Sequence, residues 1–133
     1  MTAFDENFSS QLRPTLLDFA GRVRAANPAL ACDLGSSKND AFLLRVYLSI
    51  SMRGDGEEVA VTVDLMVTAD ALNIVSDVCQ DNGHIIAVGP SAAIPWDGNL
   101  PTQNDALTIW LREFDKFLCD SEAEVVKIAS ALS

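Results

Sequence analysis

The stretch Ala41-Phe42-Leu43-Leu44-Arg45-Val46-Tyr47-Leu48-Ser49-Ile50-Ser51-Met52, then Arg53-Gly54-Asp55-Gly56-Glu57-Glu58, then Val59-Ala60-Val61-Thr62-Val63-Asp64-Leu65-Met66-Val67-Thr68-Ala69 alternates apolar and polar residues on both sides of a glycine turn. Phe42, Leu44, Val46, Leu48, Ile50 and Met52 share one side of the first run, and Val59, Val61, Val63, Leu65 and Val67 one side of the second. Successive side chains of a strand point to opposite faces, so this period of two predicts an antiparallel hairpin with one buried face. Placing Arg53 opposite Glu58 sets Ile50 beside Val61, Leu48 beside Val63 and Val46 beside Leu65. Tyr47 then stands opposite Asp64, with Arg45 diagonal to it, on an outward face that also carries Met66.

Upstream, Phe8, Leu12, Leu16, Phe19 and Val23 recur at three- and four-residue spacing, which predicts a helix over 5–26. Pro14 removes a helical N–H, so the helix either starts there or bends there. Asn27-Pro28 ends it, and Leu30, Cys32 and Leu34 alternate as a short strand. Downstream, residues 72–80 fit either period. Ile74, Val75 and Val78 are β-branched, and Asp81-Asn82-Gly83 before the apolar run 84–88 is a hairpin signal, so the segment reads as a strand. Gly83 takes the left-handed position, and Leu72, Ile74, Val78, Ile86 and Val88 share the inner face. Residues 89–98 read as an exit loop.

From 102 to 132, Leu107, Trp110, Leu111, Phe114, Phe117, Leu118, Val125, Ile128 and Leu132 form a second helical stripe. Unbroken, it would span about 45 Å. Ser121 and Glu124 form a capping box that allows a break near Asp120 as an open alternative. The chain contains no repeat or linker, so residues 1–133 read as a single two-layer α+β domain: an N-terminal helix, an antiparallel meander of four or five strands, and a long C-terminal helix, both helices on one face.

Lys+Arg number 9 and Asp+Glu 19, a formal charge of -10, which makes a nucleic-acid backbone a poor partner and a basic protein a better one. The 49% hydrophobic content is ample for a core and too high for a disordered acidic tail. Cys32, Cys79 and Cys119 are scattered without metal-ligand spacing and read as reduced core or half-core thiols. The N-terminal segment has no secretory pattern and no apolar run reaches membrane-spanning length, so the expected compartment is the cytoplasm. His84, the lone histidine, has no partner that sequence can place and reads as a surface hairpin residue. The glycine turn is too short for a calcium loop, and the nucleotide-binding and nucleophile-elbow motifs are absent. Neither catalysis nor a metal or cofactor is therefore expected.

The acidic residues fall into two groups. Asp55, Glu57, Glu58, Asp64, Asp77 and Asp81 lie on hairpin tips and the outward sheet face, whereas Asp105, Glu113, Asp115, Asp120, Glu122 and Glu124 line the last helix. From the first group Asp55, Glu57, Glu58 and Asp64, together with Arg45, Tyr47 and Met66, are the expected partner-binding residues. In size, acidity and α+β layout the chain is similar to the immunity proteins of bacterial contact-dependent inhibition systems, which implies an antitoxin-type inhibitor docking a basic toxin domain. The alternative is an acidic cytosolic secretion chaperone or assembly factor acting as a homodimer. Its self-association or client binding would use Tyr47, Met66, Val75 and Ile85, although such chaperones place a helix between strands where this chain reads as an uninterrupted meander. The oligomeric expectation is monomer or homodimer.

Overall fold

In the computed structural model, which describes residues 2–38, 44–52, 57–67, 71–80, 83–95 and 105–132, the alternation of the central hairpin becomes alternation of burial. The elements are α1 (Thr2–Ala26), β1 (Leu30–Ser37), β2 (Leu44–Met52), β3 (Glu58–Val67), β4 (Ala71–Gln80), β5 (Ile85–Val88), β6 (Ala92–Pro95) and α2 (Asp105–Ala131). Six strands form one antiparallel sheet in the order β1-β2-β3-β4-β5, and β6 also pairs with β4. The expected α+β meander is present, with one strand more than the sequence suggested. β5 pairs with residues 77–79 of β4 and β6 with residues 71–74, so the two short strands occupy one edge of a single long neighbour.

Leu44, Val46, Leu48 and Ile50 of β2 and Val59, Val61, Val63 and Leu65 of β3 are buried on one face, as their parity predicts. Fully burying a side chain of this size stabilises by roughly 1.5–3 kcal/mol. α1 contributes Phe8, Leu12, Leu16, Phe19 and Val23 to the same core, and α2 contributes Leu107, Trp110, Phe114, Leu118 and Val125. The helices run side by side in the same direction: Phe8 lies beside Trp110, Arg22 pairs with Glu122, and the Asn27 amide donates to Ser130 Oγ at 2.8 Å. Between them the chain crosses the sheet five times, counting β5 and β6 as one interrupted traverse, which returns α2 to the direction of α1.

Several expectations are corrected. α1 runs continuously through Pro14 rather than starting there, and α2 is unbroken, so the capping box at Ser121 is not used as a helix start. Asp120-Ser121-Glu122-Ala123-Glu124 contains no helix breaker, and Leu118, Val125 and Ala129 carry the buried stripe past it. The β2–β3 register also differs, by two residues. Ile50 pairs with Val59, Leu48 with Val61 and Val46 with Val63, and Glu58 faces Ser51 rather than Arg53. A two-residue slip keeps every side chain on its own face and brings Arg45 directly opposite Asp64, adding a cross-strand ion pair. The cost of lengthening the turn is small, because closure entropy grows only logarithmically with loop length.

Segment 71–80 is a strand, and Gly83 has φ 82 with its N–H bonded to the Gln80 carbonyl, as the hairpin reading requires. Val88, however, is 76% exposed and faces outward. A bulge between Val78 and Cys79 pairs them with Ala87 and Ile85, leaving Ile86 as the extra residue and reversing the phase of Val88, which pairs with Asp77. Beyond it the strand line breaks at Gly89-Pro90-Ser91. The Pro90 carbonyl turns inward and accepts from both Ser76 Oγ (2.8 Å) and Trp110 Nε1 (2.9 Å), which satisfies the buried serine and anchors α2. A side chain at residue 89 would run into Ser76 Oγ and the Phe117 ring, so the glycine permits this close approach.

Candidate functional site

Both helices pack on the inner face of the sheet, and among the described residues no element covers the outer one. Residue parity places Gly35, Tyr47, Thr62, Asp77 and Val88 in one row across five strands, flanked by Arg45, Asp64 and Val75 on one side and Ser49, Ala60, Cys79 and Ile85 on the other. The Tyr47 ring lies over Gly35 of the edge strand. A β-carbon there would come within 2.5 Å of the ring, so glycine is what lets the tyrosine lie flat. The polar residues at the centre of this face are only partly exposed because they shield one another.

Arg45 forks onto Asp64, with Nε to Oδ1 at 2.7 Å and the NH2 nitrogen to Oδ2 at 2.9 Å. Hydrogen bonding to Asp64 raises the guanidinium pKa, against a smaller opposing effect of burial. Asp77 stands next to this pair. Burial first, and the neighbouring Asp64 charge second, push its carboxyl above the usual carboxylate range, with Arg45 partly opposing. The centre of the outer face is therefore a compact charge network of one cation and two carboxylates, in which the Asp64 charge is directly compensated.

Of the residues expected to bind a partner, Arg45, Tyr47, Asp64 and Met66 lie together on the outer face of β2 and β3, with Glu58 at the start of β3 and exposed Glu57 just before it. Asp55 lies outside the described residues. Sequence reasoning left out Asp77 as a member of the Arg45–Asp64 cluster, although the strand parity of β4 was sufficient to place it there. Of the second acidic group, Glu113, Asp115, Asp120 and Glu124 are solvent-exposed along α2, whereas Glu122 is engaged by Arg22, which also lies 5.7 Å from the Phe19 ring centroid.

A second feature had no sequence signal. Between α1 and the β1–β2 edge is a cavity of about 490 Å³, with Ser9, Arg13, Leu34, Ser36, Lys38 and Leu44 among its lining residues. The helix and strand residues that meet there are more than twenty positions apart, and no local spacing links them.

None of the three cysteines forms a disulfide. Cys32 and Cys79 are half-buried, but Cys119 is exposed, so the core reading fails for it: it falls on the solvent side of α2. Burial pushes the Cys32 thiol up, with Arg24 opposing. Among the described residues no group of three or more His, Cys, Asp or Glu side chains is placed to hold a metal ion. Exposed His84 sits beside the Gly83 turn. Among the described residues no helix is long and apolar enough to cross a membrane. Comparison of the chain with protein-family models, with curated proteins and with solved structures found no match.

Proposed function

We propose that this chain is a non-enzymatic protein-binding domain of the small acidic immunity or antitoxin type, docking a basic toxin domain on the open face of its sheet. The observation that carries the reading is the asymmetry of the two layers: both helices cover one sheet face, and the face bearing Arg45, Tyr47, Asp64 and Asp77 has no covering element among the described residues. A net charge of -10 would steer a basic partner toward it. Because Arg45 compensates Asp64, the steering charge comes from the rim, exposed Glu57 in particular, while Tyr47 and Met66 supply contact area. The test is co-purification from native lysate with mass spectrometry, followed by association kinetics with the recovered protein. A basic partner whose association slows with salt supports the reading, and an acidic or salt-insensitive one refutes it.

One observation favours the alternative, an acidic secretion-chaperone-like homodimer. Ile85 and Val88 are 51% and 76% exposed on the edge strand β5, an arrangement suited to self-association. Light scattering after size exclusion separates the two, since a monomer at micromolar concentration removes the homodimer.

A further inference from the structure

On the helical side of the sheet, away from the open face, lies the cavity between α1 and the β1–β2 edge. Its volume of about 490 Å³ falls within the range of sites that take small organic ligands, roughly 300–1,000 Å³. The floor is apolar: Leu44 and Val46 are 3% and 5% exposed and belong to the inner face of β2. The rim is of the opposite character. Ser9 and Arg13 project from α1 four residues apart, hence on one helix face, and Ser36 and Lys38 come from the end of β1 and just beyond it. In a chain with 9 Lys+Arg against 19 Asp+Glu, both charged side chains among the described lining residues are cations.

An apolar floor under a cationic, hydroxyl-bearing rim matches a ligand with one anionic head and one apolar body. The head accepts hydrogen bonds from the Arg13 guanidinium and the serine hydroxyls, interactions strengthened by charge. The body covers the half-buried Leu34 side chain, which lines the cavity beside that floor, and removes it from water. A purely apolar molecule would leave the rim unmatched, and a bare inorganic anion would leave Leu34 uncovered. We infer that this cavity binds a small anionic amphiphile, a carboxylate or phosphate monoester on a short alkyl body, with Arg13 holding the head group. The site is on the other side of the sheet from the docking face, so either assignment can fail without the other.

The experiment is an amide chemical-shift titration of the whole chain with octanoate, octyl phosphate, 1-octanol and inorganic phosphate. Octanoate or octyl phosphate should shift the Ser9, Ser36 and Val46 amides saturably, the tighter of the two identifying the head group. Arg13→Gln should weaken that binding by about tenfold, the scale of one charge-assisted hydrogen bond, while Asp64→Asn on the opposite face should leave it unchanged. Arg13 is exposed on α1, so its substitution leaves the fold intact, which far-UV circular dichroism checks. The assignment is overturned if neither anion gives a saturable shift, if 1-octanol or inorganic phosphate binds as tightly, or if Arg13→Gln binds as the parent does.

Discussion

Arg45 and Asp64 face each other directly across β2 and β3, joined by two parallel N–H to oxygen bonds. The pair fixes which residues oppose one another without changing which face they occupy. Its energy is modest, because the Arg45 side chain is 41% exposed. A double-mutant cycle with Arg45→Ala and Asp64→Ala should give a coupling of about 0.5–1 kcal/mol that shrinks with added salt. A coupling near zero at low ionic strength would mean that the pair does not hold the register.

The strand phase is a stronger determinant. Leu48 and Val63 are fully buried, and Ser49, next to Leu48 on β2 and opposite Ala60, points outward. Leu48→Ala and Val63→Ala should each destabilise by about 1.5–4 kcal/mol, through lost burial and the cavity left behind, whereas Ser49→Ala should change little. Urea midpoints measure this, and equal shifts for all three would contradict the assigned faces.

The fold was legible where the pattern is long and strictly periodic. β2, β3, the hairpin at Gly83 and both helical stripes were evident because each places many apolar side chains on one face. Register was not, because a shift of two residues preserves that pattern and only the Arg45–Asp64 contact distinguishes the alternatives. Val88 misled for a related reason: a single extra residue at Ile86 inverts the phase of everything after it. β6 was missed because Gly89, Pro90, Ser91 and Pro95 read as loop chemistry, whereas the inward Pro90 carbonyl is a bonding site for Ser76 and Trp110. On the site side, strand parity was sufficient to place Arg45, Tyr47, Asp64 and Asp77 together, and the cavity under Arg13 required the tertiary approach of α1.

Glycines separate close approach from conformational need. Gly89→Ala should cost about 1–3 kcal/mol by overpacking against Ser76 and Phe117. Gly21, exposed within α1 with open space where a β-carbon would go, should behave in the opposite sense, with Gly21→Ala stabilising by about 0.5–1 kcal/mol through helix propensity. Thermal melts of the two variants should move in opposite directions. A stable Gly89→Ala protein would mean that the break after β5 is not tightly packed.

Asp77 supplies a pH test. Its carboxyl is raised in the folded chain, so the native state holds this proton to higher pH than the unfolded state does. Stability from this group is fully present below the unfolded carboxylate value and is lost as pH rises through the folded one. Asp77→Asn should therefore raise the urea midpoint relative to the parent at pH 7, with the difference fading as pH falls below the ordinary aspartate range. A variant less stable than the parent at pH 7 would show that the Asp77 charge is net favourable beside Arg45.

The docking proposal can be divided by surface. Charges steer association over roughly 8–10 Å at physiological ionic strength, so reversals on the face that meets a basic partner should slow association more than dissociation changes. Asp64 is unsuitable for simple reversal, since a cation there would face Arg45 and damage the sheet. Exchanging the two as Arg45→Asp with Asp64→Arg keeps the pair and the net charge while inverting its polarity. Glu122 is likewise unsuitable as a control because it holds Arg22. The informative comparison sets Asp55→Lys, Glu57→Lys and Glu58→Lys together against Asp120→Lys and Glu124→Lys on the exposed side of α2. With a recovered partner at low salt, the first set should slow association by about tenfold or more and the second by much less. If the α2 reversals have the larger effect, the partner docks on the helical layer, and the open sheet face is not the binding surface.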